Sequence, residues 1–319
     1  IPKRDWSSDV CSSDLKIKKI GLTALAASLV TVSANAVDIS GGSSISYNGG
    51  NDGEQGNPWS MTDSLVFTWG GELDNGMTVD MNFKLDNSDG TAAKVLDNRS
   101  LALGLNGGGT LTFWGQSGSG VVGSFDDKMP TAYEESWYTA DSPNQGHSTS
   151  NMFYYTNTLD AVTIHASHTP VGAASTEVGA VVTAIDNLEL GIAIGEDNAT
   201  SAAVDNTIMY AKYTIGGATL GVQSNDADSS AANSDETFTA WGVSYAVSED
   251  MSISYGYSEI DYETSTTLSQ EATGISASYT MGSMTLAGTV NDITNQGSGA
   301  TGNTDTNAET FEINLAFAF

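Results

Sequence analysis

Two of the three histidines are spaced in a way that could serve a metal ion or a catalytic base. His165 and His168 lie three residues apart in "VTIHASHT". If this stretch is a β-strand, side chains three apart point to opposite faces, so the two rings cannot share a ligand. A lipid-hydrolysing site would need Ser, Asp and His together on an outer face, whereas His165 shares the inward parity of Thr163 and Ser167. The spacing therefore predicts that the protein is not an enzyme.

Two acidic stretches space oxygen ligands in the manner of a calcium-binding loop. In "NDADSS" (225–230) and "NTDTN" (303–307), Asp and Asn alternate with other residues. Neither stretch completes the twelve-residue loop, which requires a central glycine and a distal glutamate. We therefore expect solvated loop tips and no cofactor, with weak Ca²⁺ or Mg²⁺ binding at acidic loops left open.

The longest stretch without strand periodicity, residues 117–150, concentrates the remaining candidate chemistry. It carries five carboxylates close together: Asp126, Asp127, Glu134, Glu135 and Asp141. Few bases could face them, but Lys84 and Lys212 have the inward parity of their strands. The plainer alternative is that these acids only solvate a surface loop, as exposed carboxylates usually do. The secondary structure predicted around this stretch decides between acids that face basic side chains and acids that only solvate a surface loop.

The charge of the chain excludes one large class of partner. From Val37 onward there are 36 acidic and five basic residues, a net charge of about −31. Nucleic-acid binding depends on Lys and Arg neutralising phosphates, so no nucleic-acid partner is expected. The single cysteine, Cys11, lies in the leader described next, so we expect neither disulfides nor thiolate chemistry after it.

The first 36 residues have the composition of an export leader behind a foreign prefix. Residues 1–15 resemble translated sequencing-adapter sequence, and residues 16–36 have the basic, apolar and A-x-A segments of a signal peptide. The apolar segment is shorter than the roughly 20 residues that a membrane-spanning helix needs. We therefore expect export through the periplasm and a mature chain of residues 37–319.

Alternation with a period of two residues runs through the rest of the chain and predicts strands. The end of the chain shows it clearly, because one parity of its last residues is entirely apolar: Phe311, Ile313, Leu315, Phe317 and Phe319. The same pattern recurs at 79–85, 251–257 and 275–281. The other parity carries mostly Ser, Thr, Gly, Asn, Asp and Gln, which suits a face in contact with water.

The connections between these strands alternate between short and long. Seven short turns carry the Gly, Asn or Asp that tight hairpins need: 73–76, 106–109, 159–160, 185–187, 216–217, 248–250 and 282–283. Eight longer polar loops separate them: 48–58, 88–96, 117–150, 170–175, 197–205, 226–235, 261–269 and 294–308. The pattern predicts an all-β fold, a single antiparallel transmembrane β-barrel of about 16 strands with long extracellular loops and short periplasmic turns.

An even number of strands lets the last strand pair with residues 37–47 and removes both sheet edges, as lipid requires. The apolar face would then meet lipid, and the polar face would line a water-filled lumen. Aromatic residues near strand ends would form interfacial girdles: Trp59, Trp69, Trp114, Tyr213, Tyr255, Tyr257, Tyr279, Phe317 and Phe319. A soluble β-sandwich or secreted β-solenoid would also alternate, but it gives no reason to sort long and short connections to opposite ends.

Residues 37–319 resemble a general bacterial porin of the proteobacterial sixteen-stranded, trimeric family, most specifically in "NRSLALGLNGGGTLTFWGQ" (98–116). The resemblance implies an outer-membrane homotrimer whose third long loop, residues 117–150, folds into the barrel and narrows it. The five acids of that loop would then face basic side chains, for which Lys84, Lys212 and Arg99 are the candidates. Arg99 lies near the extracellular end of its strand, so a rim position, a lipopolysaccharide contact or a bulge is also open. The resemblance further implies that barrel-assembly machinery reads the apolar C-terminus ending in Phe319.

One departure from the family pattern bears on selectivity. Family members often carry an Arg or Lys cluster on the wall, commonly with one Arg after the Gly where this chain has Gly115-Gln116, whereas Arg99 is the one Arg of residues 37–319. A lumen lined mainly by one sign of charge concentrates the opposite ion. We therefore expect a cation-preferring channel for passive diffusion of small hydrophilic solutes and ions, not an anion-selective pore. Two alternatives stay open: a structural or adhesive surface barrel with divalent-ion-binding loops and little conductance, and a channel specialised for one solute class.

Overall fold

The computed structural model describes residues 37–50, 57–87, 96–137, 148–170, 174–198, 202–264, 268–296 and 307–319. Within these residues the first strands are β1 (Asp38–Gly50), β2 (Trp59–Glu72), β3 (Thr78–Asn87), β4 (Leu96–Gly104), β5 (Thr110–Gln116) and β6 (Gly118–Ser119). One short helix follows, α1 (Val121–Phe125), and then β7 (Ser148–Thr149), β8 (Met152–Leu159), β9 (Val162–Thr169), β10 (Ser175–Ile185) and β11 (Leu188–Asp197). The remaining strands are β12 (Val204–Ile215), β13 (Ala218–Ser229), β14 (Glu236–Ala246), β15 (Met251–Tyr262), β16 (Gln270–Met281), β17 (Met284–Thr294) and β18 (Ala308–Ala318).

Sixteen of these strands form one closed antiparallel barrel, which confirms the predicted fold class. Each strand pairs with its neighbours along the chain, except that β5 pairs directly with β8, while β6 and β7 form a separate two-stranded sheet. β1 closes the barrel against β18, from Gly42 opposite Ala318 to Gly50 opposite Thr310. The predicted pairing of the last strand with residues 37–47 is therefore correct, and the closed sheet has no edge strand.

The short connections take the tight conformations that their residues allow. Gly216 (φ +59°) and Gly282 (φ +63°) both lie in two-residue turns and adopt the left-handed region that glycine enters without steric penalty. Because the strands are antiparallel, the short turns lie at one end of the barrel and the longer connections at the other. This arrangement agrees with the predicted sorting of the connections.

The outer face of the barrel is apolar, as the alternation predicts. Ile313 is 52% exposed and Phe319 is 72% exposed on β18 and at its end, and the same holds for Val222 on β13 at 57%. A soluble protein would bury side chains of this size, so their exposure in a ring is typical of a surface that meets lipid. Within the described residues, no helix is both long enough and apolar enough to span a membrane.

Two details of the predicted faces are wrong. Trp114, expected in an interfacial girdle, pairs with Ser100 and lines the lumen together with Thr112. The inner face is also less polar than expected, because Ile208 and Phe238 point inward and are 0% and 2% exposed. The reason for both is the segment after β5, which enters the barrel and packs against these side chains.

Candidate channel constriction

The chain turns into the barrel after β5 and returns to the wall at β8. β6 and β7 pair with each other, α1 follows β6, and residues 126–137 continue along the inner wall. An apolar contact holds the start of this segment against β11 and β12, formed by Val121, Val122, Phe125, Ala193, Ile208 and Tyr210. Burying a side chain such as Val or Phe contributes about 1.5–3 kcal/mol, so this contact favours a loop folded inward.

A buried carboxylate fixes the start of α1 to the wall. Glu177 on β10 is 2% exposed and accepts hydrogen bonds from the backbone N–H of Val122 (2.9 Å) and from the hydroxyl of Ser167 (2.9 Å). The Ser167 oxygen in turn accepts from the N–H of Val121 at 3.0 Å. The first N–H groups of a helix have no partner within the helix, so these two wall side chains satisfy them.

A row of glycines forms a shallow trough for the middle of the segment. Gly221, Gly242, Gly256 and Gly274 stand opposite one another on β13 to β16. A Cβ on Gly274 would lie 2.7 Å from the Cα atom of Ser136, and a Cβ on Gly242 would lie 3.2 Å from a backbone oxygen of the segment. The loop therefore approaches the wall more closely than larger residues would permit.

Hydroxyl groups anchor the segment beyond the trough. The side chain of Ser254 accepts a hydrogen bond from the N–H of Ala132 at 2.9 Å, and that of Ser276 accepts from the N–H of Tyr133 at 3.1 Å. The Tyr133 hydroxyl then donates to the Glu312 carboxylate on β18 at 3.1 Å. These contacts carry the loop across the wall from β9 to β18.

A second apolar contact holds the far part of the described segment. Trp137 stacks edge-on against Phe238, with ring centroids 5.0 Å apart. Met129 belongs to the same buried cluster, which includes Ile260 and Ile293 from the wall. The described part of the loop thus covers the β9–β18 side of the lumen and leaves the β1–β5 side uncovered, and that uncovered side is called the open path below.

Four of the five predicted acids lie on this described segment. Asp126 is buried, Glu134 and Glu135 are half-buried, and Asp127 is exposed to the lumen. Asp127 also shares a hydrogen bond with Glu135. Asp141 lies outside the described residues. The structure therefore places these four carboxyls on the segment that folds into the barrel, and their role in a constriction stays a prediction.

Enclosure by the barrel makes these acids harder to ionise than ordinary carboxyls. Burial, reinforced by the charge of Asp127, raises the pKa of Asp126 to about 7. Burial and the neighbouring Asp127 also raise the pKa of Glu135 to about 7, and burial with the charge of Glu312 raises the pKa of Glu134 to about 6. Enclosure by the barrel also raises the pKa of Asp127, although its side chain is open to lumen water, and the charge of Lys128 opposes the shift.

The wall opposite the loop is acidic as well. A cavity of about 820 Å³ lies on this side, and its charged lining residues are Asp38, Glu72 and Asp80. None of the described residues that line it is basic. Carboxylates therefore stand on both sides of the open path.

The predicted bases do not form a positive wall facing the loop. Lys84 points inward but makes ion pairs with Asp86 (2.7 Å) and Asp97 (2.9 Å). Lys212 also points inward and pairs with Glu189 at 2.9 Å, on the side that the loop covers. Both cations are therefore compensated locally by carboxylates of the wall.

Arg99 lies on the outer face and not in the channel. It pairs with Phe83, and the register shifts between Arg99 and Ser100, which marks a bulge. Its side chain passes over Gly115, where an added Cβ would meet it at 2.9 Å. The rim-or-bulge alternative thus fits the structure better than a role in the constriction.

Sequence reasoning missed Glu177, Glu312 and Lys128. Lys128 lies on the loop itself, where burial and the nearby charge of Lys212 lower its pKa. Glu177 carries a detectable signal, because it is a carboxylate at inward parity in the otherwise small and apolar "VGAVV" region of β10. The glycine row has no such signal, since it depends on the register of four strands.

Comparison with known proteins places the chain in a family. The sequence model of a family described as Gram-negative porin matches residues 21–314. A search of curated proteins finds no match.

Solved structures match the fold across most of the chain. OmpT of Vibrio cholerae, an outer membrane protein, in a form lacking loop L8, gives a TM-score of 0.72 at 14% identity and covers 89% of this chain and 99% of its own. A trimer form of in-vitro folded V. cholerae OmpT gives 0.67 at 15% identity, covering 89% and 99%. A mutant of the Rh. blastica porin gives 0.67 at 15% identity, covering 89% and 100%.

Proposed function

This chain belongs to the Gram-negative porin family and forms a barrel of the bacterial outer membrane; on that premise we propose that it is a cation-preferring channel for passive diffusion of small hydrophilic solutes and ions. The observation that carries the cation preference is the acidic character of both sides of the open path. Asp127 reaches into the lumen from the loop, and Asp38, Glu72 and Asp80 line the opposite wall. A lumen lined by charges of one sign raises the local concentration of ions of the opposite sign.

Selection in this channel needs no chemical step. The loop narrows the barrel on the β9–β18 side, so large solutes are excluded by size, and the carboxylates bias which ions enter the remaining path. We assign no catalytic residue and no cofactor. The described residues include no cluster of three or more His, Cys, Asp or Glu side chains that could hold a metal ion, and any Ca²⁺ or Mg²⁺ binding would be weak and confined to acidic loops.

The assembly that we propose is a homotrimer, supported by the trimer form of the V. cholerae OmpT structure. Outer-membrane lipid and lipopolysaccharide would surround the apolar outer face, and barrel-assembly machinery would read the C-terminal residues Phe311 to Phe319. The exposed aromatic end of β18 supports this last point, because Phe319 remains available at the barrel edge.

A planar bilayer experiment tests the function. The purified protein is inserted under a KCl gradient, and single-channel steps and the reversal potential are recorded. Stable steps with a reversal potential toward that of K⁺ support the proposal. A reversal potential toward Cl⁻ would contradict the electrostatic argument, and no conductance from protein shown to be folded would favour the structural or adhesive barrel.

A further inference from the structure

The wall on the uncovered side of the lumen carries one large aromatic ring at an inward position. Trp114 on β5 lines the cavity of about 820 Å³ beside the open path, and Trp69, the other aromatic residue of this lining, has outward parity. The neighbouring inward positions on β2 to β5 are small or polar. Three of them share the level of Trp114, and four lie one level toward the short turns: Thr68, Asn82 and Ser100, then Gly70, Asp80, Ala102 and Thr112.

Two neighbours hold the Trp114 side chain in place. Met152 stands opposite it on β8 and is 0% exposed. Gly118, the first residue of β6, packs against both, because an added Cβ would lie 2.6 Å from the Trp114 Cβ and 2.9 Å from the Met152 Cε. Among the described residues, Trp114 belongs to neither of the two apolar clusters that hold the loop against the wall, and it stays half-buried. The ring is therefore positioned beside the path and keeps free surface for a solute.

The polar groups beside Trp114 leave space for a small molecule. Adjacent strands are about 4.8 Å apart, so the backbones of Trp114 and Asn82, two strands away at the same level, are roughly 10 Å apart. Asp80 lies on the same strand as Asn82, one level toward the short turns. Ser100 and Ala102, on the strand between, are small. These side chains leave a recess between the aromatic ring and the two larger polar side chains.

This set of polar groups favours a ligand that both donates and accepts hydrogen bonds. Asn82, Ser100 and Thr112 carry amide or hydroxyl groups that can do either, whereas a carboxylate such as that of Asp80 only accepts. A simple ammonium ion would use the acceptors alone. An anionic ligand would face the carboxylates of the lining, with no basic side chain among the described lining residues.

A sugar without an acidic group fits the whole set. Its hydroxyls can donate and accept around the ring, and the apolar C–H face of a pyranose suits the flat indole of a tryptophan. Ligand sites in proteins typically combine such an apolar surface with a few polar groups that fix the orientation of the ligand.

We propose that the β2–β5 wall holds a binding subsite for neutral and amino sugars, in which a pyranose stacks on the Trp114 ring and hydrogen-bonds to Asp80 and Asn82. The inference rests on the proposed diffusion channel and names a solute class that the channel favours. A subsite on a permeation path must release its solute as readily as it binds it, so we expect weak, saturable binding.

Two measurements on the folded wild type test the subsite. Cellobiose is titrated against the KCl current through single channels, where a bound sugar gives a saturable decrease and added noise, and a channel without a subsite follows the bulk conductivity. Saturation-transfer NMR in lauryldimethylamine oxide, a detergent without a sugar head group, detects binding independently of conductance. Glucosamine, glucuronate and tetramethylammonium serve as the amino-sugar, sugar-acid and simple-cation probes.

Four variants locate the binding: Trp114→Ala, Trp114→Tyr, Asp80→Ala, and Trp241→Ala on the outer face of β14 as the matched control for loss of a tryptophan. Circular dichroism and heat-modifiable mobility report whether each barrel is folded. We expect the binding constant for cellobiose to fall by roughly tenfold in Trp114→Ala, because an aromatic stacking partner contributes on this order. It should be largely kept in Trp114→Tyr, reduced in Asp80→Ala, which leaves the contact with Gly118 intact, and unchanged in Trp241→Ala.

The probes should separate by charge, with cellobiose and glucosamine binding and glucuronate not. Wild-type current that follows the bulk conductivity, together with no saturation transfer, would overturn the proposal. So would equal binding by folded Trp114→Ala and Trp241→Ala, equal binding of glucuronate, or block by tetramethylammonium alone. A protein that conducts with cation preference but binds no sugar would leave the proposed function intact, whereas sugar binding seen by NMR without conductance would overturn the channel and keep the subsite.

Discussion

Asp127 is the loop carboxylate in closest contact with lumen water, yet it is surrounded by three other carboxyls whose pKa values are raised. Ordinary Asp and Glu side chains are mostly ionised above about pH 5. In this group, Asp126 and Glu135 titrate near 7 and Glu134 near 6 because burial disfavours their charged forms. The negative charge that these loop carboxyls contribute to cation selection is therefore lost at a higher pH than ordinary carboxyls would lose theirs.

We expect the loop's share of the K⁺ over Cl⁻ preference to fall as the pH is lowered from about 8 to about 5, with its midpoint between pH 6 and 7 rather than near 4. The measurement is the reversal potential under a fixed KCl gradient at each pH. Asp126→Asn combined with Glu135→Gln should flatten this part of the curve, and a midpoint near 4 in the wild type would contradict the raised pKa values. The raised pKa values of these carboxyls also imply that the free energy of unfolding increases as the pH falls through 7. The reason is that the carboxyls bind protons more tightly in the folded protein than in the unfolded chain.

Lys84 provides the second residue-scale prediction. It is the basic side chain that the structure places on the open β1–β5 wall, and Asp86 and Asp97 neutralise it. Replacing it in Lys84→Gln should release two carboxylates toward the path and raise the cation preference. Arg99→Gln removes the same charge from the outer face, so its single-channel reversal potential should stay at the wild-type value. An equal change in both variants would mean that the net charge of the barrel, and not its inner wall, sets selectivity.

At the scale of elements, the strands and their connections could be predicted from the sequence, but the path of the inner loop could not. Strand alternation depends only on parity, and turn residues such as Gly216 and Gly282 mark hairpins locally. The loop path depends on which side chains face inward at a common level, and that requires the register of strands far apart in sequence. Phe238 and Ile260 are the residues from which an inward loop could have been predicted. Apolar side chains at inward positions of a water-filled barrel need a packing partner inside it.

The glycine trough gives an element-scale prediction. In Gly274→Val, the new side chain would overlap Ser136 and the Asn291 side chain, so residues near 136 should move away from the wall into the path. We expect lower single-channel conductance and more current noise. Ser278→Val, on the same strand and face but bonded to Ser252 of the wall, is the matched control and should conduct normally. Unchanged conductance in folded Gly274→Val would mean that the loop does not limit the path at this point.

Closure of the barrel by β18 gives a second element-scale prediction. Phe319 exchanges two backbone hydrogen bonds with Gly41, at 2.9 and 3.0 Å, and its ring packs beside the same residue. Phe319→Ala keeps the backbone bonds and removes the ring, whereas deletion of Phe319 removes both. If assembly machinery reads the aromatic ring, both changes should lower the amount of folded barrel in the outer membrane to a similar extent. A defect confined to the deletion would instead assign the effect to barrel closure, and Phe317→Leu serves as the control for loss of an aromatic ring elsewhere on the strand.

At the scale of the whole molecule, the charge distribution determines how far the selecting field extends. The chain from Val37 onward carries a net charge of about −31, and its carboxylates are spread over the long connections, the outer rim, the loop and both sides of the path. Fields from such dispersed charges are screened by salt, with a Debye length of about 10 Å at 0.1 M and about 3 Å at 1 M. Charges that line the constriction act on a permeating ion over distances shorter than the Debye length of about 10 Å at 0.1 M salt.

Ionic strength should therefore separate the contributions of the whole molecule and the constriction. We expect a strong K⁺ preference at about 0.1 M KCl that weakens several-fold, without reversing, at about 1 M. The part that persists at high salt should be reduced when Asp127 and Glu134 are changed to Asn and Gln, because only charges beside the path act on a permeating ion when the Debye length is about 3 Å. The part lost at high salt should persist in that variant when it is measured at low salt. A preference independent of salt in the wild type would assign selection to the carboxylates beside the path, on the loop and on the opposite wall, and leave the acidic exterior without a role in permeation.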